Sequence, residues 1–332
     1  MIKRLITAYN CAKETQRTLD RIWQPSSMWQ NFLLYRLPLI EALEKQDEAT
    51  VEKLLATLFR NGSSAYTSYL RYWLALEQND QAGLDDMKKI LAHQVSTWKS
   101  YLYEDAELED LVLPSIGSPF GMLVNGVKIM PGVATHHYHA QKVHALVADT
   151  DIPTVIEIGG GVGLFAYFLT RNHDIHYIDY DLPEISITCQ YYLMKAFPNK
   201  KFLLYGEEPT EDNYDYILMP HFELPNLSDD SADVFVNFHS LSEMNLDTVK
   251  EYMRHISRAT KGYFYHENSI YPIVPLGSIG ELHEIVANQF DVPTDRFTLL
   301  NTMANIWAEN VYREFLYKRR ETVHFVLPAT GD

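Results

Sequence analysis

Thr154-Val155-Ile156-Glu157-Ile158-Gly159-Gly160-Gly161-Val162-Gly163 decides how this chain is read. A short β-branched apolar run ends in an acidic residue and opens into a cluster of glycines. Leu164-Phe165-Ala166-Tyr167-Phe168-Leu169 follows and has the character of a helix start. Strand, glycine turn, helix is how an α/β sheet brings bare backbone against a nucleotide-like ligand. Side chains would block that approach, and tight turns often demand positive φ, so glycine serves both needs. Three readings stand open: a purely structural turn, a dinucleotide site, and a site for a cationic ligand. Gly161-Val162-Gly163-Leu164-Phe165-Ala166 fits the dinucleotide pattern G-x-G-x-x-A. Against it, the glycine run begins at Gly159, and a carboxylate at Glu157 would repel a pyrophosphate. A sulfonium and ammonium ligand tolerates that carboxylate better.

Outward from this turn, Ile175-His176-Tyr177-Ile178-Asp179-Tyr180-Asp181 reads as a second strand ending in acid. A carboxylate there can accept hydrogen bonds from both hydroxyls of a ribose; a solvated acidic turn is the plain alternative. Strands are also predicted at 202–205, 214–219, 232–238, 263–265, 297–300 and 314–317, the last two as an antiparallel pair. Asn245 is placed as the N-cap of a helix over 246–259, with Gly262 as its stop. Alternating strands and helices give a doubly wound α/β sheet. The first 110 residues read as helical, with amphipathic runs over 31–43 (interrupted by Pro38), 49–59, 64–76 and 84–91. They carry no catalytic constellation and are expected to form a cap or a platform for homo-oligomerisation. The chain is thus divided into a helical region 1–110, a connecting segment with a lid over 111–150, and a sheet domain 151–332.

The 332 residues are 46% hydrophobic and carry a formal net charge of -16. Such an acidic surface disfavours a nucleic-acid partner. Two cysteines cannot form a disulfide framework, and no run is long enough to span a bilayer, so a cytoplasmic protein is expected. His136, His137, His139 and His144 invite a metal reading. No carboxylate or cysteine stands nearby at a matching spacing, so no metal is expected. His136, His137 and Tyr138 are placed instead over the cofactor or in the substrate cleft.

Ligands bind beyond the carboxyl ends of the strands in such folds. The strand 232–238 delivers His239-Ser240-Leu241-Ser242-Glu243-Met244 there, and the strand at 263–265 delivers His266-Glu267-Asn268. The order Glu-x-Gly-x-Gly-x-Gly resembles the first motif of class I S-adenosylmethionine-dependent methyltransferases. Asp181-Leu182-Pro183-Glu184 resembles the Asp-Leu-Pro turn of many small-molecule O-methyltransferases, whose Asp holds the ribose. His239 resembles the histidine after the fourth strand in plant-type O-methyltransferases. There His-Asp-Trp-Ser-Asp occurs, whereas this chain has His-Ser-Leu-Ser-Glu. Together with Ser242-Glu243-Met244 and Tyr263 to Asn268, the pattern over roughly 114–320 resembles a bacterial family of sugar O-methyltransferases.

The resemblance implies a Rossmann-like class I methyltransferase sheet, S-adenosyl-L-methionine as cofactor and a sugar or sugar-bearing small molecule as acceptor. Glu157, Gly159, Gly160, Gly161, Gly163, Asp181, Leu182 and Asn237 fall at cofactor positions. His239 is the expected general base, with Glu243 and His266 as further catalytic candidates. Asn268 joins the substrate contacts. Competing readings are an N-methyltransferase of natural-product assembly, a nicotinamide-dependent oxidoreductase and a non-catalytic scaffold.

Overall fold

Apolar residues recurring every three or four positions wind the first third of the chain into helices. In the computed structural model these are α1 (Ile2–Gln16), α2 (Ser27–Leu33), α3 (Leu37–Glu44), α4 (Glu48–Ala56), α5 (Thr67–Gln78) and α6 (Gln81–Tyr101). The structure describes residues 1–64, 67–102, 106–210, 213–271, 285–304 and 311–321; the tail beyond 321 lies outside them. Ser26, Asp47 and Asp80 cap the starts of α2, α4 and α6 by accepting backbone N–H groups, as short polar side chains do. The helical run is broken just ahead of Pro38, as the sequence predicts: α2 ends at Leu33, a tight turn follows over Leu34–Arg36, and α3 starts at Leu37. Pro38 sits in the first turn of α3, where its missing N–H costs nothing.

A hairpin of β1 (Met122–Val124) and β2 (Val127–Ile129) turns at Asn125-Gly126. Both turn residues have positive φ, as a two-residue hairpin requires. Then come α7 (Val133–Leu146), β3 (Thr154–Ile158), α8 (Leu164–Thr170), β4 (His176–Asp181) and α9 (Pro183–Ala196). They are followed by β5 (Phe202–Leu204), β6 (Tyr216–Pro220), β7 (Ala232–Phe238), α10 (Leu246–Ala259), β8 (Thr260–Ser269), β9 (Phe297–Ala304) and β10 (Tyr312–Arg319). Eight strands form one sheet in the order β5-β6-β4-β3-β7-β8-β10-β9. From β5 to β8 neighbours pair in parallel; β10 runs antiparallel between β8 and β9. This is the doubly wound α/β sheet expected from the alternation. Its switch point falls between β3 and β7, where a crevice must open.

Gly262 has a different task from the predicted helix stop. The chain passes from α10 straight into β8, and Gly262 lies inside that strand. A Cβ there would stand 2.2 Å from the carbonyl oxygen of Asp233, so glycine permits β7 and β8 to approach.

One hydrophobic core runs from α1, α3 and α4 through α7, α8 and α9 to the sheet. A second, on the opposite face, is built around α10. Polar ties fix the N-terminal region to α9 and to the turn after β5. Arg4 pairs with Glu207, Lys13 Nζ lies 2.5 Å from Glu184 Oε1, and buried Arg36 donates to the Glu184 carbonyl at 2.7 Å. Among the described residues no helix is long and apolar enough to cross a membrane.

Candidate active site

A cleft of about 320 Å3 opens at the switch point, within the range of small-molecule sites. Its floor is Ile158, Gly159, Gly161, Asp181 and Leu182; its far wall is Phe238, His239, Ser240 and Glu243. Ile22, Ser26, Trp29 and Phe32 line it from the N-terminal region.

The glycine loop is stapled by the acids of β4. Asp179 Oδ1 accepts the Gly160 N–H at 2.9 Å, and Asp181 Oδ2 accepts the Gly161 N–H at 3.0 Å. Gly159, Gly161 and Gly163 all have positive φ. A Cβ on Gly160 would stand 2.7 Å from Asp179 Oδ1, and one on Gly159 would stand 2.4 Å from Ser240 Oγ. These two glycines are therefore demanded by the protein's own packing. Gly163 caps α8 and packs on Cys189 and Leu193. Asp181 lies at the cleft, whereas Asp179 is fully buried behind the loop.

Glu157 does not reach the cleft. It is buried and accepts a hydrogen bond from the Tyr177 hydroxyl. Burial pushes its carboxyl up to about 8 despite that bond, and nearby Asp181 adds to the rise. Buried away from the cleft and pushed toward its neutral form, Glu157 gives no ground for excluding a pyrophosphate there, and that sequence argument falls away. Burial likewise raises Asp181 to about 7, against the pull of the Gly161 and Leu182 amides and of Arg36. Asp179 is raised by burial and by its acidic neighbours.

On the opposite side, His239 directly follows β7, and its φ of 74° is unusual for a residue with a Cβ. Three contacts over-determine that strained conformation. Its N–H donates to the Glu267 carbonyl at 2.7 Å, its Nε2 lies 2.7 Å from Glu267 Oε1, and its ring stacks on Tyr312 at 4.3 Å between centroids. Strain held this way is a mark of a pre-organised site. Burial disfavours the charged imidazole, but the Glu267 carboxylate outweighs it and raises the His239 pKa. Burial opposes the charge of Glu267 too, yet His139 and His239 hold it well below the usual carboxylate range.

Asn237 and Asn268 brace the turn from beneath. Asn237 Nδ2 donates to Ile158 O at 2.8 Å and to Ser240 Oγ at 2.6 Å. Its Oδ1 accepts from Asn268 Nδ2 at 2.8 Å, and Asn268 Oδ1 accepts the Ser242 N–H at 3.0 Å. Neither amide lines the cleft. Glu243 does, and burial raises its carboxyl to about 7, against His239 and a hydrogen bond from Trp29.

The remaining sequence candidates lie elsewhere. His266 is fully buried in an aromatic stack with Phe315 and Tyr317 on the other face of β8. His137 accepts from Trp98 Nε1 at 3.1 Å, and Tyr138 packs against Tyr101; both are buried in α7. His136 is half-buried. Burial and the nearby histidines His139 and His239 hold its pKa down near 3, against Glu267.

Glu267 is not singled out by the sequence, although both its neighbours are. Strand alternation, which sends it to the opposite face from His266, is the one signal the sequence holds; its pairing opposite Phe238 arises only when β7 and β8 meet. Trp29 and Tyr312 were also passed over, and no local pattern marks either.

No family model and no curated protein matches the chain. Solved structures do. Magnesium protoporphyrin IX methyltransferase of Synechocystis, with bound SAM, is similar at 17% identity over 57% of this chain and 81% of that one, TM-score 0.38. Mitomycin 7-O-methyltransferase is similar at 14% identity over 79% and 70%, TM-score 0.39. The cyclase SpnF is similar at 12% identity over 60% and 85%, TM-score 0.39. At these identities and TM-scores the likenesses carry no argument about this chain. Its own strand order and glycine turn give a Rossmann-like, doubly wound α/β sheet with a helical N-terminal region.

Proposed function

We propose that the protein is an S-adenosylmethionine-dependent O-methyltransferase acting on a hydroxyl of a sugar-bearing small molecule. One observation carries the reading: the glycine loop with Asp181 and the His239–Glu267 pair face one another across a single cleft. The cofactor, when bound, supplies an electrophilic methyl group on a sulfonium centre. Gly159 and Gly161 leave backbone bare on the floor for it. Asp181 has acceptor capacity left beside the two amides it holds, enough for ribose hydroxyls. Leu182 offers an apolar edge there. Gly160, Gly163, Asn237 and Glu157 support the loop or strand rather than touch the ligand.

An alcohol is a weak acid, so its oxygen needs a base as it attacks. His239 takes that proton, and Glu267 fixes its tautomer and stabilises the imidazolium that forms. Glu243 and the rings of Trp29, Phe32 and Tyr312 shape the acceptor side. The sugar-bearing acceptor rests on the family-like Ser242-Glu243-Met244 segment and on these aromatic walls, which suit the apolar face of a sugar ring. Calorimetry with S-adenosylmethionine, S-adenosylhomocysteine and NAD tests the cofactor. Micromolar binding of the first two and none of NAD is expected; the converse refutes the proposal. Mass spectrometry of glycosides incubated with enzyme and cofactor then reads a gain of one methyl on oxygen.

A further inference from the structure

Behind the His239–Glu267 pair, three buried side chains each satisfy one polar atom and leave the other unmet. His139 Nδ1 lies 2.8 Å from the Tyr265 hydroxyl. Glu267 Oε1 lies 2.7 Å from His239. Glu314 Oε2 accepts from Tyr265 at 2.9 Å and from Lys142. The partner atoms, His139 Nε2, Glu267 Oε2 and Glu314 Oε1, are buried without a hydrogen bond. The three residues are only 1%, 0% and 2% exposed, and they bring potential ligand atoms within 4.8 Å of one another.

The hydrogen-bond pattern sets what can fill the gap. The Tyr265 hydroxyl has one proton, and it goes to Glu314. Its oxygen therefore accepts the Nδ1 proton of His139, which leaves a lone pair on Nε2. Three lone pairs then converge in a dry interior. A water has two protons and can satisfy only two of them. A cation satisfies all three. His139 Nε2 and Glu267 Oε2 are 3.5 Å apart, long for a hydrogen bond. It is close to the ~3.4 Å ligand–ligand edge of a tetrahedral site with bonds of about 2.1 Å.

We propose that His139, Glu267 and Glu314 bind a divalent transition-metal ion. One imidazole and two carboxylates suit Zn2+ or Mn2+, whereas Mg2+ and Ca2+ favour all-oxygen sites. The supporting contacts are those that orient metal ligands: a hydroxyl on the far nitrogen of the histidine, and donors on the far oxygen of each carboxylate. The histidine cluster on α7 shows no carboxylate partner in sequence because both carboxylates arrive from β8 and β10. Glu267 then joins the ion on one oxygen to His239 on the other. The competing occupant is a proton on His139 Nε2, making an imidazolium.

Metal content decides between them, and it does so independently of methyl transfer. Tag-free full-length protein is stripped with chelator, dialysed against Zn2+, Mn2+ or Mg2+ separately, and its bound metal is counted by plasma mass spectrometry. One Zn2+ or Mn2+ per chain is expected, with binding at least tenfold weaker in His139→Asn and in Glu314→Gln. Circular dichroism confirms that each variant folds. No stoichiometric ion in the wild type, Mg2+ alone, or undiminished binding in both variants overturns the proposal. If a variant fails to fold, Co2+ on the wild type decides. Visible ligand-field bands displaced by one equivalent of Zn2+ support the site, and a featureless spectrum overturns it.

Discussion

Both halves of the cleft bury carboxyl groups, and their neighbours drive them to opposite states. Beside the glycine loop, Glu157, Asp179 and Asp181 lie among one another, and burial with like charge raises all three. Beneath the far wall, Glu267 is as deeply buried but sits between two imidazoles, and its carboxylate stays ionised. Burial alone favours the neutral acid in both places; the partner decides the outcome. Behind the glycine loop burial thus pushes acids toward their protonated form, and beneath the far wall the partners of Glu267 keep its charge.

The largest break in this contrast is expected on the charged side. His239→Ala should lower turnover by roughly 10²–10⁴-fold, the size of a general-base contribution. S-adenosylhomocysteine affinity should stay within about twofold, because the loop that would bind it lies across the cleft. Steady-state turnover alongside calorimetry checks both, and near-normal turnover would remove His239 from the mechanism. On the other side, Asp181→Ala should weaken S-adenosylhomocysteine by about 2–4 kcal/mol through lost charge-assisted hydrogen bonds. Asp179→Asn is the control. If it weakens binding more in a folded protein, the ribose assignment belongs one alternation earlier.

Protonation behind the glycine loop sharpens the comparison further. Glu157 is raised to about 8 when folded and returns to about 4.3 when unfolded. Between those values the folded state holds the extra proton, so the contribution of Glu157 to stability falls as pH rises and levels off above 8. The slope is about 1.4 kcal/mol per pH unit while the group titrates. Buried neutral histidines such as His137, His221 and His266 pull the other way at lower pH. The useful quantity is therefore the Tm of Glu157→Gln minus that of the wild type, from pH 5 to 9. That difference should grow with pH; a flat or falling difference would mean that Glu157 is ionised in the fold. The smallest effect is expected at Trp29→Phe. It keeps the ring and removes the hydrogen bond to Glu243, so the acceptor KM should rise only a few-fold, about 1 kcal/mol.

The two halves also differ in how far they could be read before folding. The glycine loop, Asp179 and Asp181 lie within about 30 residues, and the two acids share one face of β4, so only their position along the strand separates them: Asp181 ends it at the cleft and Asp179 lies behind the loop. Their geometry is a local consequence of β3, its turn and β4. His239 was legible as a residue at a strand end. Its setting was not, because Glu267 comes from the next strand, Tyr312 from β10 and Trp29 from the N-terminal helices. Glu157 was misread for a related reason: a strand's last acid can face the cleft or turn into the core, and Tyr177 on the adjacent strand draws it inward. Pro38 and Gly262 were legible as backbone-special residues, but their purposes depend on the first turn of a helix and on a neighbouring strand.

The docking of the first helix has a consequence for the protein's birth. Ile2, Leu5, Ile6 and Tyr9 of α1 are buried, and α1 packs chiefly on α9, at Pro183–Ala196. A ribosome adding about 5–20 residues per second takes on the order of 10–40 s to deliver α9 after α1 has emerged. Over that interval the greasy side of α1 has no native seat on α9. Until then α1 has only α3 and α4 to rest on, and the roof of the cleft closes only after the segments bearing Glu243 and Thr248, which hold Ser26 and Ile22, have been made.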